Sequence, residues 1–191
     1  MNYEARSATH REDILILGGG TAGYLTALSL RRKLPDARIR VLQSSKLGII
    51  GVGEGSLRQL PGFLHSYLGI DPRLFHERVR PTWKLGIRFK WGERGDFNYC
   101  FSPQLDVVHP HPDLPRPMGF YCYDEMEDHC VASALMRNDF VYLRDQSGQP
   151  DIGDDYGYHL DNQRFAAFLE EYALEQGVEL IDDLVIDVIA D

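Results

Sequence analysis

Apolar residues fall along this chain in two rhythms, and the switches between them mark its elements. Asp13-Ile14-Leu15-Ile16-Leu17 is a short apolar run that stops at Gly18-Gly19-Gly20. A run of this length bounded by glycines reads as a strand. From Thr21 to Leu34 the period becomes helical, with Gly23, Ala27, Leu30 and Leu34 on one face, and Pro35-Asp36 ends it. Arg38-Ile39-Arg40-Val41-Leu42-Gln43 alternates and predicts a second strand, which completes a βαβ unit. Two helices are expected next, over 57–68 and 72–80, interrupted at Gly69-Ile70-Asp71-Pro72. Over 81–92 the alternation is strict. Leu85, Ile87, Phe89 and Trp91 share one face of a single expected strand, with Lys84, Gly86, Arg88 and Lys90 on the other.

Neither rhythm holds over 93–122, where His109-Pro110-His111-Pro112 predicts an extended, polyproline-like segment. Nothing near these two histidines completes a metal site, so no metal is expected. Tyr99, Phe101, Phe120, Tyr121 and Tyr123 either wall a substrate cavity or belong to ordinary core. A helix is expected over 124–136. A further helix starts at Asp161, a good N-cap, with Phe165, Phe168, Leu169, Tyr172 and Ala173 on one face and a stop at Gly177. Val178–Ile181 reads as a third strand and 184–189 as a fourth. More than a hundred residues lie between the second strand and the helix at 161, far more than a loop holds. A separate layer is expected there. A doubly wound parallel sheet is unfinished at Asp191, so the chain reads as the N-terminal part of a longer protein.

Composition is that of an ordinary globular chain, 43% hydrophobic and 26% charged. No apolar run is long enough to span a membrane, and the polar start MNYEARSATHRED lacks the apolar core of a signal peptide. Cys100, Cys122 and Cys130 form an odd set without metal-ligand spacing, which suits a reducing, cytoplasmic setting. The net charge of −9 is uneven. Residues 1–100 carry 16 Lys or Arg against 9 Asp or Glu, whereas 101–191 carry 4 against 20. The basic half holds the glycine turn, which fits an anionic cofactor and fits an unevenly charged solvated surface equally well. No basic stripe is interleaved with aromatics, so nucleic acid is not an expected partner.

The chemistry starts at the glycines. Gly18, Gly20 and Gly23 occupy the G-x-G-x-x-G positions between a strand and a helix, the context a dinucleotide fingerprint requires. Gly18 allows the tight turn, Gly20 the approach of a pyrophosphate, and Gly23 close packing of helix on strand. Free N–H groups at the helix start, where Thr21 and Ala22 sit, then face the phosphates. The alternative is a glycine-rich turn without a ligand. About 20 residues further on, such folds carry an acid for the ribose hydroxyls. Gln43 stands there instead, followed by Ser44 and Ser45. An amide or hydroxyl bonds a ribose without charge assistance, so the adenosine end is expected to be held more weakly. Residues 46–56 form a second glycine-rich segment, with Gly48, Gly51, Gly53 and Gly55 inside eight positions. That density suits a backbone passing beside a flat group such as a flavin, or a plain connecting loop.

Three of these segments together resemble the flavin-dependent halogenases of the tryptophan halogenase type. They are Gly18-Gly19-Gly20-Thr21-Ala22-Gly23, Ile50-Gly51-Val52-Gly53-Glu54-Gly55-Ser56 and Trp83-Lys84-Leu85-Gly86-Ile87-Arg88-Phe89, with a weaker match at Tyr158-His159-Leu160-Asp161. The resemblance implies an α/β fold: an FAD-binding, Rossmann-like βαβ unit and parallel sheet, with a long insertion forming a substrate layer, incomplete at the C-terminus. Its parts would be a polar tail over 1–12, the FAD-binding unit and strap over 13–56, the inserted cover over 57–157, and a return to the nucleotide fold over 158–191. The resemblance further implies that Gly18, Gly20, Thr21, Ala22, Gly23 and Gln43 hold FAD. Gly51, Gly53 and Glu54 would form a strap beside the flavin, and Lys84 matches the catalytic lysine. Reduced FAD, supplied by a separate flavin reductase, would act with oxygen and chloride or bromide to give hypohalous acid. Lys84 would pass the halogen to an electron-rich, aromatic or indole-like substrate, since a buried amine donates a hydrogen bond when charged and is a nucleophile when neutral. The family's W-x-W-x-I-P motif is not within these residues. Two alternatives therefore stand: an FAD-dependent aromatic monooxygenase or reductase of the same fold, and an inactive nucleotide-binding fragment.

Overall fold

The computed structural model describes residues 12–48, 53–90, 95–101, 131–151, 153 and 155–189. Two compact units divide the chain, Met1–Val52 with Asp161–Asp191, and Gly53–Leu160.

In the first unit, strands β1 (Asp13–Leu17) and β2 (Arg38–Gln43) are joined by helix α1 (Thr21–Lys33) and pair in parallel. A third parallel strand, Glu179–Asp182, lies on the other side of β2. Register puts Ile14 and Ile16 beside Ile39 and Val41, the apolar set of one sheet face. Ile39 and Val41 are fully buried, and Tyr24, Ala27 and Leu28 of α1 are buried with them. The buried face of α1 is thus rotated slightly from the expected one, since Leu30 and Leu34 are only half-buried. The second helix of this unit, Asn162–Glu175, packs against α1 and buries Phe165, Ala166, Phe168, Leu169 and Ala173. Asp161 caps it by accepting from the Arg164 amide at 3.1 Å, and Gly177 turns the chain out at φ +78°.

The second unit is built on a three-stranded antiparallel sheet, in the order β3 (Glu54–Gly55), Gly157–Leu160, β4 (Thr82–Lys84). Helix α2 (Gln59–Pro61), a π-helical stretch over Gly62–Tyr67 and helix α3 (Pro72–Val79) follow β3 in sequence. They supply Leu64, Phe75 and Val79, and the turn before α3 supplies Ile70, to a core that includes the buried Tyr158. Asp71 caps α3 by accepting from the amides of Arg73 at 2.7 Å and Leu74 at 3.0 Å. Strands β5 (Gly86–Lys90) and β6 (Asp96–Cys100) form a hairpin, with helix α4 (Val131–Arg137) against it. Short strands β7 (Leu143–Arg144) and β8 (Pro150–Asp151) pair beyond it. Gly157–Leu160 is then β9, the helix Asn162–Glu175 is α5, and Glu179–Asp182 is β10.

Three expectations change. The single strand over 81–92 is two strands in different sheets, parted at the buried Leu85. Leu85 accepts from the Phe101 amide at 2.8 Å, and a side chain at Gly86 would strike the Tyr99 backbone. The chain can change sheets there because Gly86 lets two backbones touch. The helix over 57–68 is largely π-helical, a winding that six residues of apolar pattern do not distinguish from α. Residues 183–189 form no strand: Ile186 is 92% exposed, and no neighbour supplies a hydrogen-bond ladder among the described residues. Gly51, His109, His111, Cys122, Cys130, Phe120, Tyr121, Tyr123 and the start of the helix expected at 124 lie outside the described residues. Among the described residues no helix is long and apolar enough to cross a membrane, and no cluster of His, Cys, Asp or Glu could hold a metal.

Candidate functional site

The glycine turn in the first unit is shaped by three different constraints. Gly18 takes φ +112°, which side chains rarely adopt, and donates its N–H to the Leu42 carbonyl at 2.8 Å. A methyl group at Gly23 would run into the Gly18 carbonyl oxygen, so helix and strand meet there at backbone contact. Around Gly20, by contrast, there is open space: nothing lies within 4 Å of the position a side chain would take. Gly20 is also the N-cap of α1, in extended conformation, with no side-chain cap and no acid in the first turn. The first-turn N–H groups, those of Thr21 and Ala22 included, are therefore left to an outside acceptor. Arg31, Arg32 and Lys33 in the last turn complement the other end of the dipole. These features fit a pyrophosphate.

Gln43 ends β2 with its side chain lying against Gly19, where a methyl would overlap it. The Tyr24 hydroxyl donates to Gln43 Oε1 at 2.7 Å, and Gln43 Nε2 reaches Glu170 Oε2 at 3.4 Å. Burial, and then the Glu170 carboxylate, push the Tyr24 phenol well above its ordinary range. Gln43 is thus engaged on both sides of its amide. Just beyond it, Ser45 donates its amide to Asp182 at 2.8 Å, which holds that carboxyl below the usual range. Tyr24 and Glu170 were not legible in the sequence. Tyr24 follows Gly23 directly, and a tyrosine facing the core needs a partner for its hydroxyl, which was the available signal. Glu170 had none, because α5 brings it to Gln43 across 127 positions.

In the second unit, Lys84 ends β4 opposite Gly157 of β9. Across β9, Gly55 of β3 pairs with His159. A methyl on Gly55 would stand 3.0 Å from Lys84 Nζ and 3.4 Å from His159 Nδ1, so both basic groups gather on the bare face of that glycine. The ammonium also lies 5.5 Å from the centre of the Phe101 ring, within cation–π range. Burial lowers the Lys84 pKa from the ordinary lysine value. Burial and then the Lys84 charge lower that of His159. Each group gives up its proton more readily than it would in water, and the amine, once neutral, can act as a nucleophile. Gly53 and Glu54 are exposed on the approach to β3. Ser56 pins this approach to β9: its N–H donates to the Tyr158 carbonyl, and its hydroxyl accepts from the Tyr158 N–H, each at 2.8 Å. On the alternate positions, Trp83 pairs with Tyr158, whose hydroxyl meets His65 Nε2 at 2.8 Å.

The structure thus gathers Gly18, Gly20, Thr21, Ala22, Gly23 and Gln43 in one unit, and Gly53, Glu54 and Lys84 in the other. Residues 13–191 match the family described as tryptophan halogenase. The chain is 30% identical to the 7-chloro-L-tryptophan 6-halogenase KtzR of Kutzneria sp. (strain 744), over 92% of this chain and 38% of that protein. It is 34% identical to the tryptophan 7-halogenase KtzQ of the same organism, over 85% of this chain and 34% of the other. Among solved structures, MibH, a tryptophan 5-halogenase, aligns with a TM-score of 0.82 at 35% identity, over 98% of this chain and 36% of its own. Xcc4156, a flavin-dependent halogenase from Xanthomonas campestris, aligns with a TM-score of 0.70 at 25% identity, over 95% and 37%. The chain spans less than two-fifths of the length of these relatives. The mixed α/β fold with its parallel sheet is the fold of flavin-dependent halogenases, and the chain belongs to the tryptophan halogenase family.

Proposed function

We propose that this chain is the flavin-binding and lysine-bearing portion of an FAD-dependent halogenase acting on an electron-rich, indole-like aromatic. The observation that carries the reading is Lys84, an amine of lowered pKa set on the bare face of Gly55 beside His159. The parallel sheet with α1 and α5 is read as the Rossmann-like nucleotide half, and residues 57–157 as the inserted substrate layer. Gly18, Gly20 and Gly23 with the first turn of α1 would hold the FAD pyrophosphate, Gln43 the ribose, and Gly51, Gly53 and Glu54 the strap beside the ring system. When bound, FAD reduced by a separate reductase supplies the electrons for the reaction of oxygen with chloride or bromide that yields hypohalous acid. Lys84 then takes one of two roles. As an ammonium it donates a hydrogen bond to the oxygen of hypohalous acid and makes the halogen more electrophilic. As a neutral amine it forms an N–halogen bond while the O–halogen bond breaks and the amine proton leaves with the oxygen as water.

Lys84→Ala and Lys84→Arg in the full-length protein test this reading. The alanine variant is expected to bind FAD and re-oxidise reduced flavin in oxygen, and to form hypohalous acid with halide present. Halogenated product, read by mass spectrometry, should fall by about a hundredfold or more. Arginine should not rescue it, because a guanidinium stays charged and forms no comparable haloamine. Because burial lowers the Lys84 pKa, the neutral amine is populated at a lower pH than in a surface lysine. Product per hypohalous acid formed should rise with pH through that lowered pKa on the covalent route, and fall on the hydrogen-bonding route. Near-normal product from Lys84→Ala would make Lys84 an ordinary strand lysine. A hydroxylated product from the unaltered protein, independent of halide, would establish the monooxygenase alternative instead.

A further inference from the structure

A glutamine at the end of β2 poses a problem that an acid there would not. An amide has two nearly equivalent orientations, one presenting an acceptor and the other a donor to the same ligand atom. Here Glu170 selects one of them, since its carboxylate only accepts whereas the Tyr24 hydroxyl can serve either orientation. Tyr24 donates to Oε1 at 2.7 Å, and Glu170 lies 3.4 Å from Nε2, where only a donor is favourable. One Nε2 hydrogen and one Oε1 lone pair remain, a complement to a hydroxyl that both gives and accepts a hydrogen bond. The Gln43 side chain lies against Gly19, inside the glycine turn itself, so the oriented amide belongs to the nucleotide turn. Glu170 also restores to this place the negative charge that Gln43 lacks.

We propose that Glu170, carried by α5, is a positioning residue for the ribose end of the nucleotide: it orients the Gln43 amide and supplies a carboxylate like the one that dinucleotide folds otherwise carry at the end of the second strand. The inference rests on the reading of the glycine turn as an FAD site. Asp182, the register partner of Gln43 on β10, is already bound to the Ser45 amide, so beside the Gln43 side chain there is room for one further carboxylate and not two. An acid at 43, the residue such folds ordinarily place there, would stand against Glu170 with only the Tyr24 hydroxyl to share. A merely structural Glu170 would show this repulsion in the unfolding midpoint of the apoprotein and leave the FAD affinity of the folded protein unchanged.

The test is an exchange in the full-length protein: Gln43→Glu, Glu170→Gln, and both together. FAD affinity is read by flavin fluorescence at pH 8, and the unfolding midpoint is read without FAD. Gln43→Glu is expected to weaken FAD about tenfold, and Glu170→Gln about threefold through the loss of orientation. The double variant should return to within about threefold of the unaltered protein, because the carboxylate and amide have only exchanged places. For Gln43→Glu alone, affinity should recover as pH falls from 8 to 6, when one of the paired carboxyls takes up a proton. If Gln43→Glu does not fold, recovery of folded, flavin-binding protein in the double variant carries the same result. Losses that multiply in the double variant, or tighter binding by Gln43→Glu, would overturn the role of Glu170. Gly20→Val separates the two claims. Full FAD affinity in that variant removes the nucleotide reading itself, whereas lost affinity there together with multiplied losses in the exchange removes Glu170 alone.

Discussion

Gly20 and Gly23 stand three residues apart in the same turn, yet a side chain at each would meet opposite surroundings. At Gly20 it enters open space beside the uncapped start of α1, and at Gly23 it meets the Gly18 carbonyl. Gly20→Val is therefore expected to fold normally and lose FAD, since the added group occupies the approach of the pyrophosphate. Gly23→Ala should instead lower stability by about 1–3 kcal/mol, because backbone must move to admit it. Chemical unfolding of the apoprotein and a flavin titration separate the two effects. Normal affinity in Gly20→Val would mean that the fingerprint is a structural turn. The glycine pattern was legible at Gly18 and Gly23, where backbone geometry admits only glycine, whereas the extended backbone at Gly20 admits any residue and only a ligand would ask for glycine there. What Gln43 does was not. The residue was visible as a departure from the acid expected there, but its engagement by Tyr24 and Glu170 depends on α5.

Elements bear the same division. β1, α1 and β2 stand where the periodicity placed them, and so does α5 with its Asp161 cap and its Gly177 exit. In each, one apolar face and its end signals are local properties of the sequence. The break between β4 and β5 is not local: the alternation runs unbroken through Leu85, and only contact with Tyr99 and Phe101 divides it. Lys84 consequently ends one strand rather than heading another, which is what sets it opposite Gly157. Gly157 is a test of that sheet. A methyl there would stand 2.8 Å from the Ser56 carbonyl oxygen and 3.0 Å from its hydroxyl. Gly157→Ala should push β3 from β9, weaken the two Ser56–Tyr158 hydrogen bonds and lower stability by about 1–3 kcal/mol. Hydrogen exchange at the Ser56 and Tyr158 amides measures it, and unchanged protection would show that these strands have slack.

At the scale of the molecule, the first unit leaves apolar surface in water. Leu15 and Leu17 are 43% and 51% exposed on the sheet face opposite Ile14 and Ile16, and β1 pairs only with β2 among the described residues. Val188 and Ile189 are 68% and 85% exposed in the segment after β10. An open parallel edge beside uncovered apolar side chains invites pairing with other chains. Residues 1–191 expressed alone should self-associate at micromolar concentration, as read by light scattering, and should retain FAD poorly. A monodisperse, stable, yellow monomer would show that this surface is tolerated in water.

The sequence by itself determined the short-range features: the strand–glycine–helix turn, the capped helix at Asp161, the motif around Lys84, and through these the family. Each rests on residues within about one helical turn or strand of one another, where φ/ψ limits and apolar period decide the outcome. Only the tertiary structure decided which distant groups meet. Glu170 reaches Gln43, His159 joins Lys84 over Gly55, and the apolar 184–189 segment stays outside the sheet. The reason is physical: a side chain's partner, its burial and hence its proton affinity are properties of the neighbours that packing brings in. A strand likewise exists only where another backbone stands ready to complete its hydrogen bonds.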